Sequence, residues 1–533
     1  MSAYFENTFK LIRFNLRRER VIALIWLAAI VSLAWAYPGF IVSQYSPEEL
    51  AAMYEIMANP AMVAILGMTQ GADNFTAGAM FATEFGLFTI IAVAIMNIFL
   101  VVRHTRTDEE LGRYEVLRSL PVGRLSNLLS ATITAFLVNL ALAIGIALAL
   151  GSLGIESITW AGSFTFAAMI FAGGLLFAGI TAFCVQLSSS ARSVKAYAFL
   201  ALVGFYLLRA IGDTSSEILA RISPLGLILR AEPFVENHLW PILIVLLSAL
   251  IITAIAFRLC AFRDIGQGII PDRPGPAEAP KNLRSLFGLT WRLSRGTIIA
   301  WAVGMFIFGG VFGLIMGDVE LFVTDAEWFE QLMPPHPDFT MTEMFTSMMN
   351  LFLGLFAAVP VLNLALRLRA EEKMGRTEGL LGLAISRKSH IAGFALLSFA
   401  ASVIMPLLGM IGMWALSIPM LDEPMSFWNL LQAVMVFMPA LWVLMGVALA
   451  FVGLWPKAVV AVWGYYAFVF VAGFFGEMLN LPRVVLNLSP FGHVPQLPME
   501  EVRIAAMLGL AGVAVILGVL GVVAYSKRDL KGS

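Results

Sequence analysis

Charged residues are scarce in this chain, and hydrophobic residues fill most of it. Asp, Glu, Lys and Arg make up 13% of its 533 residues, whereas hydrophobic residues make up 60%. A chain of this composition exposes more apolar surface than a water-soluble fold tolerates, so it is predicted to be a polytopic membrane protein. The formal net charge of −1 gives no indication of a nucleic-acid partner, and none is expected.

Several catalytic and metal-binding motifs are missing as well. The chain has no Gly-Lys dipeptide, which the phosphate-binding loop G-x-x-x-x-G-K-[ST] needs to hold a nucleotide. It also lacks an H-E-x-x-H pair, a G-x-S-x-G elbow and a Cys/His cluster. Cys184 and Cys260 are too few for a disulfide framework. We therefore predict that this chain is not an enzyme, with no catalytic residue and no bound metal or cofactor.

Long apolar runs are present instead. Twelve runs have the length of about 20 residues that a membrane-spanning helix needs. The loops on one side hold 29 of the 34 Lys and Arg, and such residues stay on the cytoplasmic side, so both termini are predicted to lie inside the cell. The predicted fold is all-α, with about twelve transmembrane helices. The runs lie near residues 21–43, 81–102, 127–152, 161–186, 194–212, 239–262, 296–316, 345–366, 390–416, 428–454, 457–475 and 502–525.

One charged segment occurs twice, 263 positions apart. Residues 106–124 read RTDEELGRYEVLRSLPVGR, and residues 369–387 read RAEEKMGRTEGLLGLAISR. The sequence Ser-Pro-Leu-Gly at 223–226 recurs as Ser-Pro-Phe-Gly at 489–492, and Arg-Asp at 263–264 recurs at 528–529. The order of these matches predicts a tandem duplication of a six-helix unit, with the same orientation in both copies. The predicted halves are residues 1–264 and 284–533, joined by a proline-rich cytoplasmic linker at 265–283.

The spacing inside the repeated segment predicts its local structure. Glu109 and Arg113 stand four residues apart with the acid first, an order that favours a short exposed helix. Pro121 is expected to end this helix in the first copy, whereas Ala384 at the equivalent place is not. A simpler interpretation is a solvated loop whose arginines only fix the topology. Two copies with matched glycines and glutamates favour a shared docking role.

These motifs resemble those of ATP-binding-cassette (ABC) type-2 permeases, and in particular the double-length membrane subunits of bacterial exporters of polyketide antibiotics (tetronasin type). The resemblance rests on E-x-x-G-R-x-E after the second span of each half, a basic amphipathic segment before the first span, and S-P-[LF]-G before the last. It covers the whole chain. It implies a multi-pass permease of the bacterial plasma membrane that exports hydrophobic or amphipathic small molecules, such as antibiotics or other drugs.

The resemblance also implies a partner protein and the residues that contact it. In that family each half supplies a coupling helix that sits on a separate ATPase subunit, so two ATPase copies are expected, with ATP and Mg bound by those subunits. The residues implied in ATPase coupling are Glu109, Gly112, Arg113, Glu115, Glu372, Gly375, Arg376 and Glu378.

The second and fifth spans of each half line the central cavity in the resembled exporters, and the outer Ser-Pro-[Leu/Phe]-Gly region closes it. Interhelical hydrogen bonding is the alternative for the polar residues on those spans, and a plain surface turn is the alternative for the outer region. The implied substrate-path residues are Asn97, Tyr206, Asn350, Asn363, Tyr465 and Tyr466. The implied outer-gate residues are Pro224, Gly226, Pro490 and Gly492.

Two other functions remain open at this point. An ion-coupled secondary transporter also uses about twelve helices, but it needs ionisable residues deep in the membrane. Glu84, Arg209 and Glu477 are expected nearer to the ends of their spans. A membrane scaffold without transport activity is the third possibility.

Overall fold

The computed structural model describes residues 4–72, 74–264, 266–271, 275, 277–318, 339–383, 385–421, 425–476 and 481–529. Over these ranges the chain is helical and forms no β-strand. Eleven helices in them are long and apolar enough to cross a membrane, and a twelfth apolar helix is shorter. The predicted all-α, multi-pass membrane fold is therefore confirmed. Ala384, Glu477 and part of the predicted linker lie outside the described residues.

The chain divides into two compact units, Met1–Gly275 and Pro276–Ser533, and the border falls inside the segment predicted as a linker. The first unit contains six long helices and several short ones between them. Its helices are α1 (Thr8–Gln44), α2 (Pro47–Met57), α3 (Pro60–Leu66), α4 (Ala77–His104), α5 (Arg106–Glu110), α6 (Arg113–Arg118), α7 (Ser126–Gly151), α8 (Trp160–Leu187), α9 (Ala191–Ser215), α10 (Glu217–Ile222), α11 (Pro224–Leu229) and α12 (Trp240–Phe262).

The second unit repeats this order of long and short helices. It contains 3₁₀ turns at Lys281–Arg284, Met316–Asp318 and Pro490–His493. Its α-helices are α13 (Leu286–Ile315), α14 (Met341–Lys373), α15 (Arg376–Leu381), α16 (Arg387–Ser417), α17 (Phe427–Met435), α18 (Met438–Leu454), α19 (Val460–Phe475), α20 (Arg483–Leu486) and α21 (Ile504–Lys527). The helix α19 is the short apolar one, and α17 and α18 together form one candidate span.

The two units share the same helix packing. In each, the first span packs on the third (α1 on α7, α13 on α16), and the fourth packs on the sixth (α8 on α12, α18 on α21). Small residues permit the closest crossings, as is common between membrane helices. A Cβ on Gly309 of α13 would overlap the carbonyl of Gly409 on α16, and a Cβ on Gly412 would overlap the carbonyl of Phe306. These backbones therefore touch directly.

The predicted spans and the observed helices coincide at their centres and differ at their ends. The helix α1 begins at Thr8, well before the apolar run near 21–43, and its first turns carry charged residues. The helix α14 likewise continues to Lys373, beyond the run near 345–366. Both extensions are polar, so an apolar window cannot detect them. They carry charged side chains of each unit to one end of its helices.

Candidate functional site at the charged helix ends

The first copy of the repeated segment is a broken helix. The helix α4 ends at His104, and the short helix α5 follows at Arg106–Glu110. Gly112 then takes a left-handed conformation with φ +68°, which glycine adopts at little cost, and α6 begins at Arg113. The predicted single helix carrying Glu109 and Arg113 on one face is therefore wrong, because the chain turns between them.

The second copy has the same break. The helix α14 continues to Lys373, Gly375 has φ +70°, and α15 runs over Arg376–Leu381. The two short helices α6 and α15 have six residues each. The expectation that the copies end differently is also wrong, because both helices end before the positions of Pro121 and Ala384 are reached.

Glu109 is buried in a cluster of arginines. Its Oε2 lies 2.6 Å from Nη1 of Arg106, and its Oε1 lies 2.9 Å from Nη2 of Arg263. The second amino group of Arg263 also reaches the same carboxylate, at 3.3 Å, so this pair is bidentate. The side chain of Glu109 is 7% exposed and that of Arg106 is fully buried. Buried charges of this kind are stable only when they are paired.

Glu372 repeats this arrangement in the second unit. Its Oε2 lies 3.0 Å from Nη1 of Arg369 and 2.7 Å from Nη2 of Arg528. Its side chain is 5% exposed, and its other oxygen has no hydrogen-bond partner among the described residues. The second cluster is thus a close copy of the first with one bond fewer.

A further arginine completes each cluster. Arg124 donates to the backbone carbonyl of Arg263 over 2.7 Å, and Arg387 donates to that of Arg528 over 2.6 Å. We call each set a charged hub. The hub of the first unit is Arg106, Glu109, Arg124 and Arg263, and the hub of the second unit is Arg369, Glu372, Arg387 and Arg528.

Each charged hub joins the ends of several spans. Arg106 donates to the carbonyl of Val185 near the end of α8, over 2.6 Å, and Arg369 donates to the carbonyl of Pro456 just after α18, over 3.2 Å. Arg263 follows the last residue of α12, as Arg528 follows the last residue of α21. The segment at the end of the second span is therefore bonded to the ends of the fourth and sixth spans, and the start of the third span is bonded to the end of the sixth.

Arg113 and Arg376 follow the two left-handed glycines. The four-residue spacing predicts Glu109 as the partner of Arg113, but both arginines pair with another carboxylate. Arg113 lies 3.1 Å from Asp108, and Arg376 lies 3.1 Å from Glu371 at the matching position. These arginine side chains are more than half exposed, whereas both carboxylates are buried. Each pair spans the break, so it holds the short helix against the end of the longer one.

The surface of each turn is formed by the remaining residues of the motif. Arg113, Glu115, Gly375, Arg376 and Glu378 are exposed and Gly112 is half-buried, whereas Glu109 and Glu372 are not on the surface. An exposed apolar residue precedes each glycine. These residues are Leu111, 58% exposed, and Met374, 63% exposed. We call Leu111 to Glu115 and Met374 to Glu378 the exposed turns.

In the first unit, α1 also forms ion pairs with α5 and with the end of α4. Arg18 of α1 lies 2.6 Å from Asp108, and Glu19 lies 3.0 Å from both Arg103 and His104 at the end of α4. Among the described residues, no ion pair joins α13 to α14 in the second unit. Following the match of residues 16–18 with 293–295, Gly296 takes the place of Glu19. The two charged hubs are alike, and their surroundings are not.

The asparagines assigned to the substrate path have three different environments. Asn97 is fully buried, and its amide exchanges hydrogen bonds of 2.8 and 3.1 Å with the amide of Asn139 on α7. This is an interhelical bond between α4 and α7, the alternative that the sequence left open for these residues. Asn350 is buried, and its amide has no hydrogen-bond partner among the described residues. Asn363 is half-buried. A role in substrate passage stays a prediction for these residues.

The three tyrosines assigned to the path bond to backbone carbonyls. Tyr466 donates to the carbonyl of Leu355 on α14 over 2.9 Å, and Tyr465 donates to the carbonyl of Leu488, just before the outer Ser-Pro sequence, over 3.0 Å. The hydroxyl of Tyr206 lies 3.3 Å from the carbonyl of Ile65 at the end of α3. All three are half-buried, so their rings keep an accessible part.

Each Ser-Pro-[Leu/Phe]-Gly sequence lies at a break between short helical pieces. Pro224 begins α11 directly after α10, and Pro490 begins a 3₁₀ turn shortly after α20. The following glycines are packed alike, because a Cβ on Gly226 would overlap the carbonyl of Ala220, and a Cβ on Gly492 would lie 2.5 Å from that of Leu486. Both contacts reach back six residues. A gating role for these segments stays a prediction.

An exposed ion pair connects the two short outer helices of the first unit. Glu217 of α10 lies 2.6 Å from Arg221 and 3.0 Å from Arg230, which follows α11. The hydrogen bond from Arg221 and the positive charges of both arginines hold the pKa of Glu217 below its ordinary value. The carboxylate therefore stays ionised over the neutral and mildly acidic range.

Sequence reasoning missed the roles of Arg263 and Arg528. Both arginines were visible only as the matching ends of the two halves, and nothing local indicated a partner 154 or 156 positions away. The available signal was their recurrence together with Glu109 and Glu372. Residues that are duplicated with one another are candidates for a shared contact.

The described part of the chain has eleven long apolar helices and a shorter one, in two similar units that each contain a charged hub. These features define an internally duplicated integral membrane protein. The chain matches the family described as multidrug efflux system permease Rv1217c, C-terminal domain, over residues 11–263 and 283–526. It is also similar to the multidrug efflux system permease protein Rv1217c of Mycobacterium tuberculosis (strain ATCC 25618 / H37Rv), with 33% identity over 535 residues that cover 99% of this chain and 96% of that protein. The chain belongs to this family of multidrug efflux permeases.

Proposed function

We propose that this chain is the membrane-spanning permease of an ATP-driven ABC exporter, which moves hydrophobic or amphipathic drug-like molecules out of the cell. A separate ATPase subunit, in two copies, binds ATP and Mg and drives transport. The proposal is supported most by one observation, the pair of exposed turns that are each held by a charged hub. A permease needs such a surface when the energy source is on another protein.

The exposed turns have the composition of a docking surface. Each combines an exposed apolar side chain, Leu111 or Met374, with an arginine and a glutamate. Interfaces commonly combine an apolar centre with charged neighbours that set the orientation of the partner. We therefore assign ATPase contact to Gly112, Arg113 and Glu115 in the first unit.

The second unit offers the equivalent surface at Gly375, Arg376 and Glu378. Two such turns fit two copies of the same partner. Glu109 and Glu372 act differently in this proposal, because they are buried. They transmit movement of the turn to the fourth and sixth spans through the arginines of the charged hub.

Drug export as the cargo function is supported by the family. The matched family and the mycobacterial relative are both described as multidrug efflux permeases. An export role also agrees with the apolar composition of the spans, which offers hydrophobic molecules a compatible surface.

The test is to express the chain with candidate ATPases and to measure complex formation and drug-stimulated ATP hydrolysis. The informative variant carries Leu111→Asp and Met374→Asp, which change exposed positions and leave both charged hubs intact. We expect at least a tenfold loss of ATPase capture and of drug stimulation, because a charge replaces the apolar centre of each contact.

The matched control carries Ile218→Asp and Val484→Asp. These residues are also exposed and apolar, and they hold equivalent places on the short helices α10 and α20 at the other end of each unit. The control should bind the ATPase normally. Equal behaviour of the two double variants would contradict docking at the exposed turns.

Export by vesicles that retain ATP but lose their protonmotive force separates this proposal from the ion-coupled alternative.

A further inference from the structure

One carboxylate of the first unit lies inside a membrane-spanning helix without a cationic partner. Glu84 is on α4, seven residues after its start at Ala77, which places it about 10 Å along the helix. Tyr37 of α1 donates a hydrogen bond to it. Among the described residues, no other side chain hydrogen-bonds to this carboxylate, and no Lys, Arg or His forms an ion pair with it. An ionisable side chain at such a place is costly and indicates function.

A buried charge on a neighbouring span shows the contrast. Arg209 of α9 is fully buried, but Asp213 lies 3.2 Å from it. It also donates to backbone carbonyls at the end of α3, among them that of Ala64 at 2.6 Å. The charge of Arg209 is therefore paired within the protein. The charge of Glu84 is not, and a ligand can pair with it.

Aromatic rings pack around Tyr37, the residue that donates to the carboxylate of Glu84. The ring of Tyr37 stacks with that of Phe85 at 6.1 Å and with that of Phe40 at 6.2 Å. The ring of Phe81 lies 5.2 Å from that of Phe85 and 6.4 Å from that of Tyr37. Phe40 is exposed, and Glu84, Tyr37 and Phe85 are half-buried. The group is therefore partly shielded and still accessible from one side.

We propose that Glu84, Tyr37, Phe40 and Phe85 form a binding site for the cationic group of a lipophilic organic cation. The carboxylate supplies the opposite charge, and the ring faces attract a cation through their quadrupoles. Both interactions are stronger in a partly dehydrated site than in water. The apolar parts of the ligand contact the rings. The site deepens the proposed export function by naming its substrate class, and it rests on that function only for the export step.

The second unit has a different residue at the position that matches Glu84. The position 263 residues after Glu84 is Ser347, a buried serine whose hydroxyl has no hydrogen-bond partner among the described residues. The second unit therefore lacks the carboxylate, although it repeats the charged hub. One cation per chain is the expected stoichiometry.

The test is direct binding to the purified full-length chain in lipid nanodiscs, with tetraphenylphosphonium as the cation and triphenylphosphine oxide as a neutral analogue. Glu84→Gln keeps a hydrogen-bonding partner for Tyr37 and removes the charge. We expect it to weaken tetraphenylphosphonium binding at least tenfold and to change binding of the neutral analogue less than twofold. Tyr37→Phe keeps the ring and should retain cation binding.

The control variant is Glu48→Gln, which removes an exposed negative charge near the start of α2 and should leave both affinities unchanged. Unchanged cation binding in Glu84→Gln would overturn the proposal. It would also be overturned if Glu84→Gln and Tyr37→Phe both weakened binding of the cation and of the neutral analogue equally, because this indicates that the two residues have a purely structural role. Binding to the isolated chain requires no ATPase. Its outcome is therefore independent of whether export is ATP-driven.

Discussion

Arg263 and Glu109 are 154 positions apart in the chain, and their side chains form a bidentate ion pair with Nη2 and Oε1 2.9 Å apart. The pair joins the segment after the second span to the end of the sixth. Arg528 and Glu372 form the same connection in the second unit, at 2.7 Å. The same contact therefore joins the segment after the second span to the end of the sixth span in both units. It is a feature of the duplicated six-helix unit.

The charged hub is expected to carry a large share of the stability of its unit. Glu109→Ala leaves Arg106 and Arg263 buried without their counter-charge, which costs about 3–5 kcal/mol in comparable pairs. We expect a marked fall in the apparent melting temperature of the purified chain. Glu115→Ala, which removes an exposed carboxylate of the same segment, should change stability by no more than about 0.5 kcal/mol. Similar melting temperatures for the two variants would show that the hub adds little.

The two left-handed glycines offer a test of the exposed turns that leaves their surface chemistry unchanged. Gly112→Ala and Gly375→Ala each force a side chain into the left-handed region, at a cost of about 1–2 kcal/mol, although space for the methyl group is open. Gly379→Ala is the matched control, because its Cβ also meets nothing and its backbone is helical. It should be neutral or slightly stabilising. Thermal unfolding in nanodiscs measures all three, and equal effects would contradict a backbone cause.

The outer ion pairs of Glu217 predict a defined response to acid. The pKa of Glu217 is lowered in the folded protein. The stabilisation that its ion pairs give is therefore complete above the ordinary pKa of a glutamate, and it is lost as the pH falls through the lower pKa of the folded state. Hydrogen exchange of residues 217–230, corrected for intrinsic rates, should be equal at about pH 7 and 5.5 and should rise below about pH 4. Glu217→Gln should exchange faster than the wild-type chain at about pH 7, and the difference should disappear at low pH, where Glu217 of the wild-type chain is protonated. A change near neutral pH in the wild-type chain would contradict this assignment.

The spans and the duplication could be predicted from the sequence, because both follow from the order of residues along the chain. Apolar runs of sufficient length become helices in a membrane whatever they later contact. The recurrence of Gly112 as Gly375 and of Glu109 as Glu372 is equally visible in a single chain. These features define the helical spans and the internal repeat.

The geometry of the candidate site could not be predicted in the same way. Spacing rules treat Glu109 and Arg113 as neighbours on one helix, but the left-handed glycine between them separates the two side chains. The actual partner of Glu109 is brought to it by the packing of whole helices. Asn97 shows the same limit, since its partner Asn139 lies on another span. Local rules cannot supply contacts that depend on the tertiary fold.

The ion pairs of α1 connect the first exposed turn to more helices than the second exposed turn is connected to. In the first unit, Arg18 and Glu19 bind the whole first span to the end of α4, so a displacement of the first exposed turn must move that span as well. The described part of the second unit has no such ion pair, so its exposed turn is free to move with fewer helices. Equal work done on the two turns therefore produces unequal helix movements. Two identical partners would drive an asymmetric cycle.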